Sequence, residues 1–452
     1  MHSRQPPVRG LAFADTELAS FDGQFRARCQ LQRPDRYRLI EALPADRPRI
    51  ARGSGVSYVG ASFGNDAIVQ DLGAFDRLLA FDTENGLLTV EAGAHIGDVQ
   101  RFALSHGWYL PITPGHPAAT IGGCIAADVH GKNPARDGTF RQQIKSMELW
   151  RAGADSVMTH ANENSDLFLA TCAGFGLTGT IVKATLRLAP IPTGLMLRRV
   201  PVSNLLEAAR VLREAANAPV LYGWHDGRPD RFGRGVIRIG LATGERDARP
   251  VRIARADNDL PARIRPLSFA LWNRVGIALA NTWLGLRWCR AGQSPLALSD
   301  ALFPLNRART YFAGFGQAGF AEAQWLLPHA RFDEFATALS DCIARLRPRI
   351  ALISSKLFAG TDKATAFTFD GAGIALAIHV PAPVQTSQRA FLEALTELAI
   401  AHDGRPNLIK DSTLDATSVR SAIPEFSAAR ARLADANPGG LHTSELARRL
   451  GL

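Results

Sequence analysis

Glycines, histidines and a lysine are concentrated in one stretch of the chain, residues 114–133 (PGHPAATIGGCIAADVHGKN). Glycine permits positive φ and lets backbone amide groups approach an anion closely. The small residues between the glycines allow a large flat ligand to lie against the main chain. His130 and Lys132 add a group that titrates near neutral pH and a cation, which we expect at the reactive end of that ligand.

Two further glycine-rich passages have the same character: RGSGVSY, residues 52–58, and CAGFGLTGTIV, residues 172–182. Neither is a GxGxxG fingerprint or a Walker loop, and a single passage of this kind is more often a structural turn. Three of them separated by strands predict one extended ligand that is contacted mostly by main chain. A dinucleotide with a broad ring system fits that demand.

The elements that must position these passages form an α+β pattern. Short strands and helices alternate up to about residue 190, and residues 146–160 (SMELWRAGADSVMTH) predict two strands joined by a turn. From about residue 194, strand-like and helical segments follow in mixed order, which predicts an antiparallel sheet with helices on one face. The end of the chain is mostly helical, with Thr443 or Ser444 as the cap of the last helix.

Composition limits the class of protein. The 452 residues are too many for a single core, so we expect two domains or a few. Apolar residues make up 46%, and Lys plus Arg (52) exceed Asp plus Glu (42), giving a formal net charge of +10. This excess favours a phosphorylated ligand, an acidic lipid surface or nucleic acid as partner, and an Arg-rich surface that serves only solubility explains it equally well.

The cysteines and the apolar runs of the chain indicate the cellular compartment of the protein. None of the five cysteines lies in a CxxC pair, so we expect no metal site and no disulfide framework. The segment MHSRQPPVRG lacks the apolar core of a signal peptide, and no apolar run approaches the roughly 18 residues of a membrane span. We therefore expect a cytoplasmic protein, with peripheral contact at the inner face of the plasma membrane left open.

Residues 266–290 (PLSFALWNRVGIALANTWLGLRWCR) combine three tryptophans with aliphatic residues and carry arginine as their only charge. Tryptophan and arginine together are typical of a membrane interface. A buried helix of the second domain is the favoured interpretation, because apolar helical stripes usually face a core.

In chain order, RGSGVSY, VEAGAHIGDV, PGHPAATIGGCIAADVHGKN, SMELW and DLFLATCAGFGLTGTI resemble the FAD-binding domain of the vanillyl-alcohol-oxidase flavoprotein superfamily. IAADVHGKN followed by GTF, SMEL and GLTGTI is similar to the decaprenylphosphoryl-β-D-ribose oxidase family. GWHDGRPDRFGRGVIRIG, ALFPLN, AEAQWLLP, SSKLFAG, GIALAIHVP, LIKDS and SELARRL resemble that family's later blocks in the same order. The resemblance implies a two-domain fold: a PCMH-type FAD-binding domain (1–190), an antiparallel-sheet substrate domain (191–410) and a helical segment (411–452) that returns to the FAD domain.

The resemblance also implies site residues. FAD would be held by Arg52, Gly53, Ser54, Gly55, Ser57, Tyr58, Gly115, Thr120, Gly122, Gly123, Ala126, His130, Gly131, Lys132, Asn133, Gly176, Thr178, Gly179 and Ile181. The substrate would be held by Gln324, Lys356 and Lys410. Lys410 and His130 would be catalytic, Lys410 as a cation beside the flavin or as a base, and His130 as a group that polarises or orients the substrate. The alternatives are a surface lysine beside Asp411 and a loop histidine with its own hydrogen bonds.

Three positions depart from the family pattern. Val56 stands where related sugar and alditol oxidases carry a flavin-linking histidine, so we expect noncovalent FAD. Ala377 replaces a pocket cysteine of the mycobacterial members, and Glu322 replaces a pocket glutamine. His379 lies two residues beyond Ala377 on a predicted strand, so both side chains should face the same way, and His379 has no assigned role.

The activity that the resemblance implies is FAD-dependent oxidation of the 2′-hydroxyl of a polyprenylphosphoryl-β-D-ribose to a 2′-keto sugar. A separate NAD(P)H-dependent short-chain reductase would complete the epimerisation to the arabinose donor of cell-envelope arabinan. One alternative is an FAD-dependent oxidase of free sugars, alditols or aldonolactones. A second is a basic membrane- or nucleic-acid-binding module, although the basic residues form no clustered stripe and no motif resembles a nucleic-acid reader.

Overall fold

The computed structural model describes residues 12–41, 46–65, 67–152, 156–192, 194–243, 266–288, 290–304, 309–361, 365, 367–382 and 386–452. The predictions for the segment MHSRQPPVRG and for Cys289 fall outside these residues. Cys29, Cys124, Cys172 and Cys342 are buried free thiols.

The first half of the chain forms two main sheets and a small strand pair. The first sheet has the order β1-β2-β4-β3 and contains β1 (Phe13–Ala19), β2 (Arg26–Gln32), β3 (Arg49–Arg52) and β4 (Ile68–Asp71). The second has the order β5-β6-β10-β8-β9 and contains β5 (Leu78–Asp82), β6 (Leu87–Glu91), β8 (Ile144–Trp150), β9 (Val157–Thr159) and β10 (Thr180–Arg187). The pair consists of β7 (Trp108–Tyr109) and β11 (Ala189–Pro190). The helices of this half are α1 (Tyr37–Glu41), α2 (Ile96–Ser105), α3 (Ile121–Ala126), α4 (Pro134–Asp137), α5 (Ser165–Thr171) and a 3-10 turn (Phe140–Gln143).

The second half is built on one large antiparallel sheet of order β15-β12-β14-β13-β17-β18-β16-β19. Its strands are β12 (Leu195–Val202), β13 (Val220–His225), β14 (Gly235–Ala242), β15 (Gly292–Pro295), β16 (Phe320–Pro328), β17 (Leu352–Ala359), β18 (Ala372–Pro381) and β19 (Arg405–Pro406). Its helices are α6 (Leu205–Glu214), α7 (Arg274–Trp288), α8 (Leu298–Leu302), α9 (Arg309–Ala313), α10 (Phe332–Leu346) and α11 (Thr386–Ala401). The chain ends with α12 (Ala416–Ala422), α13 (Phe426–Ala436), a 3-10 turn (Pro438–Gly440) and α14 (Glu445–Leu450).

Alternation along the central strands separates a helix-covered face from a site face. In β16, Ala323, Trp325 and Leu327 join the main core, which also contains Phe335 of α10 and Leu395 of α11. The site face of the same strand carries polar side chains. Because both faces are covered, β18 is an almost continuous buried apolar run rather than an alternating one.

Buried polar side chains connect the large sheet to the glycine-rich half. The Asn133 amide donates to the carbonyl oxygens of Ala216 and Ala218, both at 2.6 Å. The Arg141 guanidinium, almost fully buried, lies 3.3 Å from Asp370 on the β17–β18 connection. These contacts fix the position of the loop that carries His130 relative to β16–β18.

The last residues return to the first sheet. Arg49 of β3 donates its backbone N–H to the Leu441 carbonyl at 2.8 Å, and Thr443 donates to the Arg49 carbonyl at 3.0 Å. Ser444 caps α14 by accepting from the Ala447 N–H at 3.2 Å, as predicted for one of two candidates. The numerical domain limits remain predictions.

The elements expected from apolar periodicity are present, including the β8–β9 pair and the antiparallel sheet with helices on one face. The favoured interpretation of residues 266–290 as a buried helix is wrong for the outer face of α7. Val275, Leu279, Trp283 and Leu286 are exposed there, and the helix buries only the opposite side, including Ile277 and Asn281. An apolar stripe shows that a face is apolar but not what covers it.

Candidate active site

The first glycine-rich passage is a tight turn after β3. Gly55 has φ +68°, a backbone conformation that favours glycine. At Gly53, an added Cβ would lie 2.1 Å from Thr120 Oγ1, so the turn packs directly on the start of α3. Arg52 extends beside this turn, and its Nη1 donates to Ser62 Oγ at 2.8 Å.

The second and third passages close on the same space. Thr120 caps α3 by accepting from the Gly123 N–H, and Gly122 packs against Ala92 at the end of β6. Gly179 has φ +146°, and an added Cβ there would lie 2.5 Å from the Trp150 carbonyl oxygen. The two passages therefore require glycine where main chain meets main chain.

Together the three passages line one cavity. About 1120 Å³ in and at the mouth of this cavity is free of protein atoms, and this volume includes space open to solvent. Val56 and Lys410 also line it. Of the residues predicted to hold FAD, the cavity wall includes Arg52, Gly53, Ser54, Gly55, Ser57, Tyr58, Thr120, Gly122, Gly123, Ala126, Gly176, Gly179 and Ile181. The wall does not include Gly115, His130, Gly131, Lys132, Asn133 and Thr178.

Three of the residues outside the wall have other partners. Asn133 holds the two carbonyls of the second half described above. Thr178 Oγ1 lies 2.9 Å from Thr171 Oγ1, both buried. Lys132 Nζ donates to the carbonyl oxygens of Thr113 and Pro114, at 3.1 and 3.3 Å, and thereby supports the loop that lines the cavity. Their assignment to the cofactor remains a prediction.

Antiparallel register brings the predicted substrate residues onto one face of the large sheet. Gln324 of β16 pairs with Ala377 of β18, and Ala377 pairs with Ser354 of β17. Because side chains alternate along a strand, Lys356 shares the face of Ser354, and Glu322 shares the face of Gln324. His130 meets this face from the other half of the chain.

His130 lies between Gln324 and Lys356. Its Nε2 is 3.3 Å from Gln324 Nε2 and its Nδ1 is 3.1 Å from Lys356 Nζ. Burial, together with the positive charge of Lys356, lowers the pKa of His130 well below its ordinary value. The imidazole is therefore neutral at physiological pH.

A chain of hydrogen bonds assigns the tautomer of His130. The Ile409 N–H donates to Asn407 Oδ1, and Asn407 Nδ2 donates to Gln324 Oε1 at 2.8 Å. The amide group of Gln324 is thereby oriented with its NH₂ toward His130, so Nε2 accepts and Nδ1 carries the hydrogen.

Lys356 of β17 completes this network. Its Nζ donates to the Gly131 carbonyl oxygen at 2.8 Å and lies 3.1 Å from Nδ1 of His130. Burial and the charges of Lys132 and Lys410 lower the pKa of Lys356 well below its ordinary value. Burial also lowers the pKa of Lys132 to about 7, with Lys410 acting in the same direction.

Lys410 connects the cavity to this network. It follows Asn407 in a short turn, and its Nζ lies 3.8 Å from the centroid of the Tyr58 ring. A cation at this distance from an aromatic face is stabilised by the ring. Lys410 is thus held where the glycine-rich cavity meets the polar face of the sheet.

A buried acidic group beside the lysines was not assigned a role from sequence. Glu322 Oε2 lies 2.5 Å from His379 Nε2, and His379 Nδ1 lies 2.7 Å from Tyr311 Oη. Burial alone would raise the pKa of Glu322, but Lys410, His379 and Lys356 together lower it below its ordinary value. Glu322 is therefore an ionised carboxylate that offsets part of the positive charge.

Sequence reasoning noted Glu322 and His379 but missed Tyr311 and Asn407. Tyr311 has no local signal beyond the aromatic run that contains it. Asn407 lies three residues before Lys410 and shares its turn, which could have indicated it.

Across the described ranges, no group of three or more His, Cys, Asp or Glu side chains could hold a metal ion. Over the same ranges, no helix combines the length and apolar character needed to cross a membrane.

The chain is similar to a flavin-binding family and to several known proteins. Residues 39–160 match the FAD binding domain family. The chain is 28% identical over 418 residues to the decaprenylphosphoryl-beta-D-ribose oxidase of Mycolicibacterium smegmatis, covering 89% of each protein. It is 28% identical over 367 residues to an uncharacterized Streptomyces coelicolor protein, covering 78% of this chain and 98% of that one. Human Delta(24)-sterol reductase is 32% identical over 128 residues only, or 25% of its length.

These findings confirm the resemblance to the flavoprotein superfamily and to the ribose oxidases. They also confirm the α+β fold with a PCMH-type FAD-binding domain, and FAD as the cofactor.

Proposed function

We propose that this chain, an FAD-dependent oxidoreductase, oxidises the 2′-hydroxyl of a polyprenylphosphoryl-β-D-ribose to a 2′-keto sugar. The observation that carries the proposal is the cluster of His130, Gln324, Lys356 and Lys410 beside the glycine-lined cavity. The similarity to a ribose oxidase along most of both chains supports the choice of substrate.

The cavity fits FAD. Its walls are main chain from three glycine-rich passages, and Ser54 Oγ is buried there without a hydrogen-bond partner. The cavity therefore offers both room and an unused polar group to a ligand. When bound, FAD accepts the hydride that leaves the alcohol carbon.

The residues beside the cavity can take up the hydroxyl proton. The contact between His130 Nε2 and Gln324 is long, at 3.3 Å, so this nitrogen is available to a substrate hydroxyl. As the hydroxyl proton moves to Nε2, the Nδ1 proton of His130 moves to the lone pair of Lys356 Nζ in its unprotonated form. His130 is thus a relay and Lys356 the final acceptor, which its lowered pKa permits.

Lys410 and Gln324 have different parts in the proposal. Lys410 places a positive charge in the cavity wall, where it stabilises negative charge that develops during the reaction. Gln324, whose orientation Asn407 fixes, positions the sugar against His130. The formal net charge of +10 suits a phosphodiester substrate.

Two parts of the proposal concern partners. A separate NAD(P)H-dependent short-chain reductase would reduce the keto sugar to the arabinose donor of cell-envelope arabinan. The lipid tail of the substrate would bring the protein to the inner face of the plasma membrane from the cytoplasm.

Anaerobic mixing of the purified holoenzyme with candidate substrates tests the proposal. We expect a short-chain polyprenylphosphoryl-β-D-ribose to bleach the flavin absorbance, while ribose, alditols and aldonolactones do not. Bleaching by the free sugars or lactones alone would refute the proposal and identify the sugar-oxidase alternative. Because Val56 lines the cavity where a linking histidine would stand, acid precipitation should leave the yellow colour in the supernatant.

A further inference from the structure

The outer face of α7 is the most exposed apolar surface described in the structure. Val275, Leu279, Trp283 and Leu286 are 68%, 67%, 56% and 64% exposed. Their spacing of four, four and three residues places them in one row along a helix. Four large apolar side chains in one exposed row are unusual for a surface in contact only with water.

The opposite face anchors the helix firmly. Ile277 and Asn281 are buried, and Asn281 Nδ2 donates to Asp226 Oδ1 at 3.0 Å. Arg228 donates to Thr282 Oγ1 at 3.3 Å. The row is therefore presented outward by a docked helix.

The charged residues of the segment that contains the row are all arginines. Residues 266–290 contain Arg274, Arg287 and Arg290 and no aspartate or glutamate. Arg274 Nη2 donates to the carbonyl of exposed Arg347 at 3.4 Å, which adds positive charge at the start of the helix. The Arg287 guanidinium lies 5.4 Å from the centroid of the Trp283 ring, near the other end.

We propose that α7 lies flat on an anionic lipid surface, with Val275, Leu279, Trp283 and Leu286 inserted at the headgroup–acyl boundary. The arginines would pair with lipid phosphates, and the tryptophan suits the depth of the headgroups. At about 1.5 Å per residue the helix is too short to span a hydrocarbon core of about 30 Å. An interfacial position is the one that its length and charge allow.

Contacts between the start of α7 and the site indicate what lipid binding by α7 would achieve. Trp272, just before α7, donates its indole N–H to the Tyr311 carbonyl at 2.8 Å. Tyr311 in turn contacts His379 beside Glu322. A protein held by α7 would keep the sugar site next to the lipid surface. The inference goes beyond the proposed function, because lipid binding can be measured without any substrate.

Vesicle flotation of the FAD-loaded protein tests the inference. We expect binding to vesicles of phosphatidylcholine with phosphatidylglycerol, weaker binding to phosphatidylcholine alone, and a decrease as salt is raised. The double variant Leu279→Glu/Trp283→Glu should bind these vesicles about tenfold less tightly or weaker still. Leu206→Glu and Met158→Glu, at exposed apolar positions elsewhere, should bind like the unaltered protein. Unchanged flavin absorbance and melting temperature will show that the variants fold.

Three outcomes would overturn the inference. Absence of vesicle binding by the unaltered protein would do so. A dimer in solution that Leu279→Glu dissociates would identify a second copy as the occupant. Equal binding by the α7 variant and the controls would exclude α7 as the contact. Protein that binds vesicles but oxidises no prenylphosphoryl ribose would refute the proposed function and leave this inference intact.

Discussion

Lys410 is the residue at which the cofactor cavity and the substrate face meet. Its Nζ is held against the Tyr58 ring, and its charge lowers the pKa values of His130, Lys132 and Lys356 while favouring ionised Glu322. One cation therefore influences most titratable groups of the site.

Replacing Lys410 with alanine should slow flavin reduction by about 10²-fold or more, because preorganised charge in a dry site contributes strongly to catalysis. FAD should stay bound, since most of the cavity wall is unchanged. Stopped-flow absorbance with the prenylphosphoryl ribose measures the rate, and Lys145→Ala, an exposed lysine, is the control. Reduction at the unaltered rate would remove Lys410 from the mechanism.

The titration of Lys356 should determine how the rate of flavin reduction depends on pH. The relay requires a neutral amine, so the rate of flavin reduction should rise with pH as Lys356 loses its proton and then level off. Because the pKa of Lys356 is well below its ordinary value, this limb should lie far below pH 10.

Lys356→Arg introduces a permanent positive charge and cannot accept a proton, so the rate should fall by about 10²-fold and the limb should disappear. The matched control is Lys132→Met, which should retain the limb. A limb that disappears with Lys132→Met instead would assign the titration to Lys132, whose pKa is about 7, and contradict the relay.

Some residues of the site could be predicted from the sequence and others could not. His130, Gln324, Lys356 and Lys410 were predicted from a resemblance, and the fold brings them together from four separate elements. Tyr311 and Asn407 have no comparable motif, because their importance comes from contacts made only after α9 and the turn before Lys410 have packed on the sheet.

At the scale of elements, the turn after β3 and the start of α3 form one unit. Gly53→Ala would place a methyl group 2.1 Å from Thr120 Oγ1 and push the two apart. We expect weaker FAD retention and a lower melting temperature, measured by gel filtration and flavin fluorescence.

Thr120→Ala in the same chain should restore part of the loss, because the clashing oxygen is removed. Gly285→Ala is the control: no atom lies within 4 Å of its added Cβ, and alanine favours a helix. Equal FAD retention by Gly53→Ala and the unaltered protein would show that the turn does not shape the cavity.

Strands and helices were largely predictable because buried apolar runs and helical periodicity are local properties. The surroundings of α7 were not, since its sequence is apolar on several sides and only tertiary packing decides which side is covered. The partners of Asn133 were hidden for the same reason, as they lie more than eighty residues further along the chain.

At the scale of the whole molecule, one core joins the first sheet, the large sheet and the C-terminal helices. Ile50 of β3, Trp325 of β16 and Leu446 of α14 belong to the same buried cluster. Such a core predicts a single cooperative unfolding transition despite the two-domain organisation.

Leu446→Ala, at a fully buried position, should therefore cost about 2–5 kcal/mol of unfolding free energy. The loss of FAD and the loss of helical signal should shift together, as measured by flavin fluorescence and far-UV circular dichroism during heating. Leu206→Ala, at an exposed position, should change little. Separate transitions would show that the C-terminal helices and the cavity are independent.

The return of the chain end to β3 also has a consequence for biosynthesis. The strand that leads into the cofactor turn is completed by hydrogen bonds to Leu441 and Thr443. While the ribosome still covers residues 441–443, these partners are absent. The nascent chain can therefore build most of its sheets early, but the strand that leads into the cofactor turn is completed only after residues 441–443 have left the ribosome.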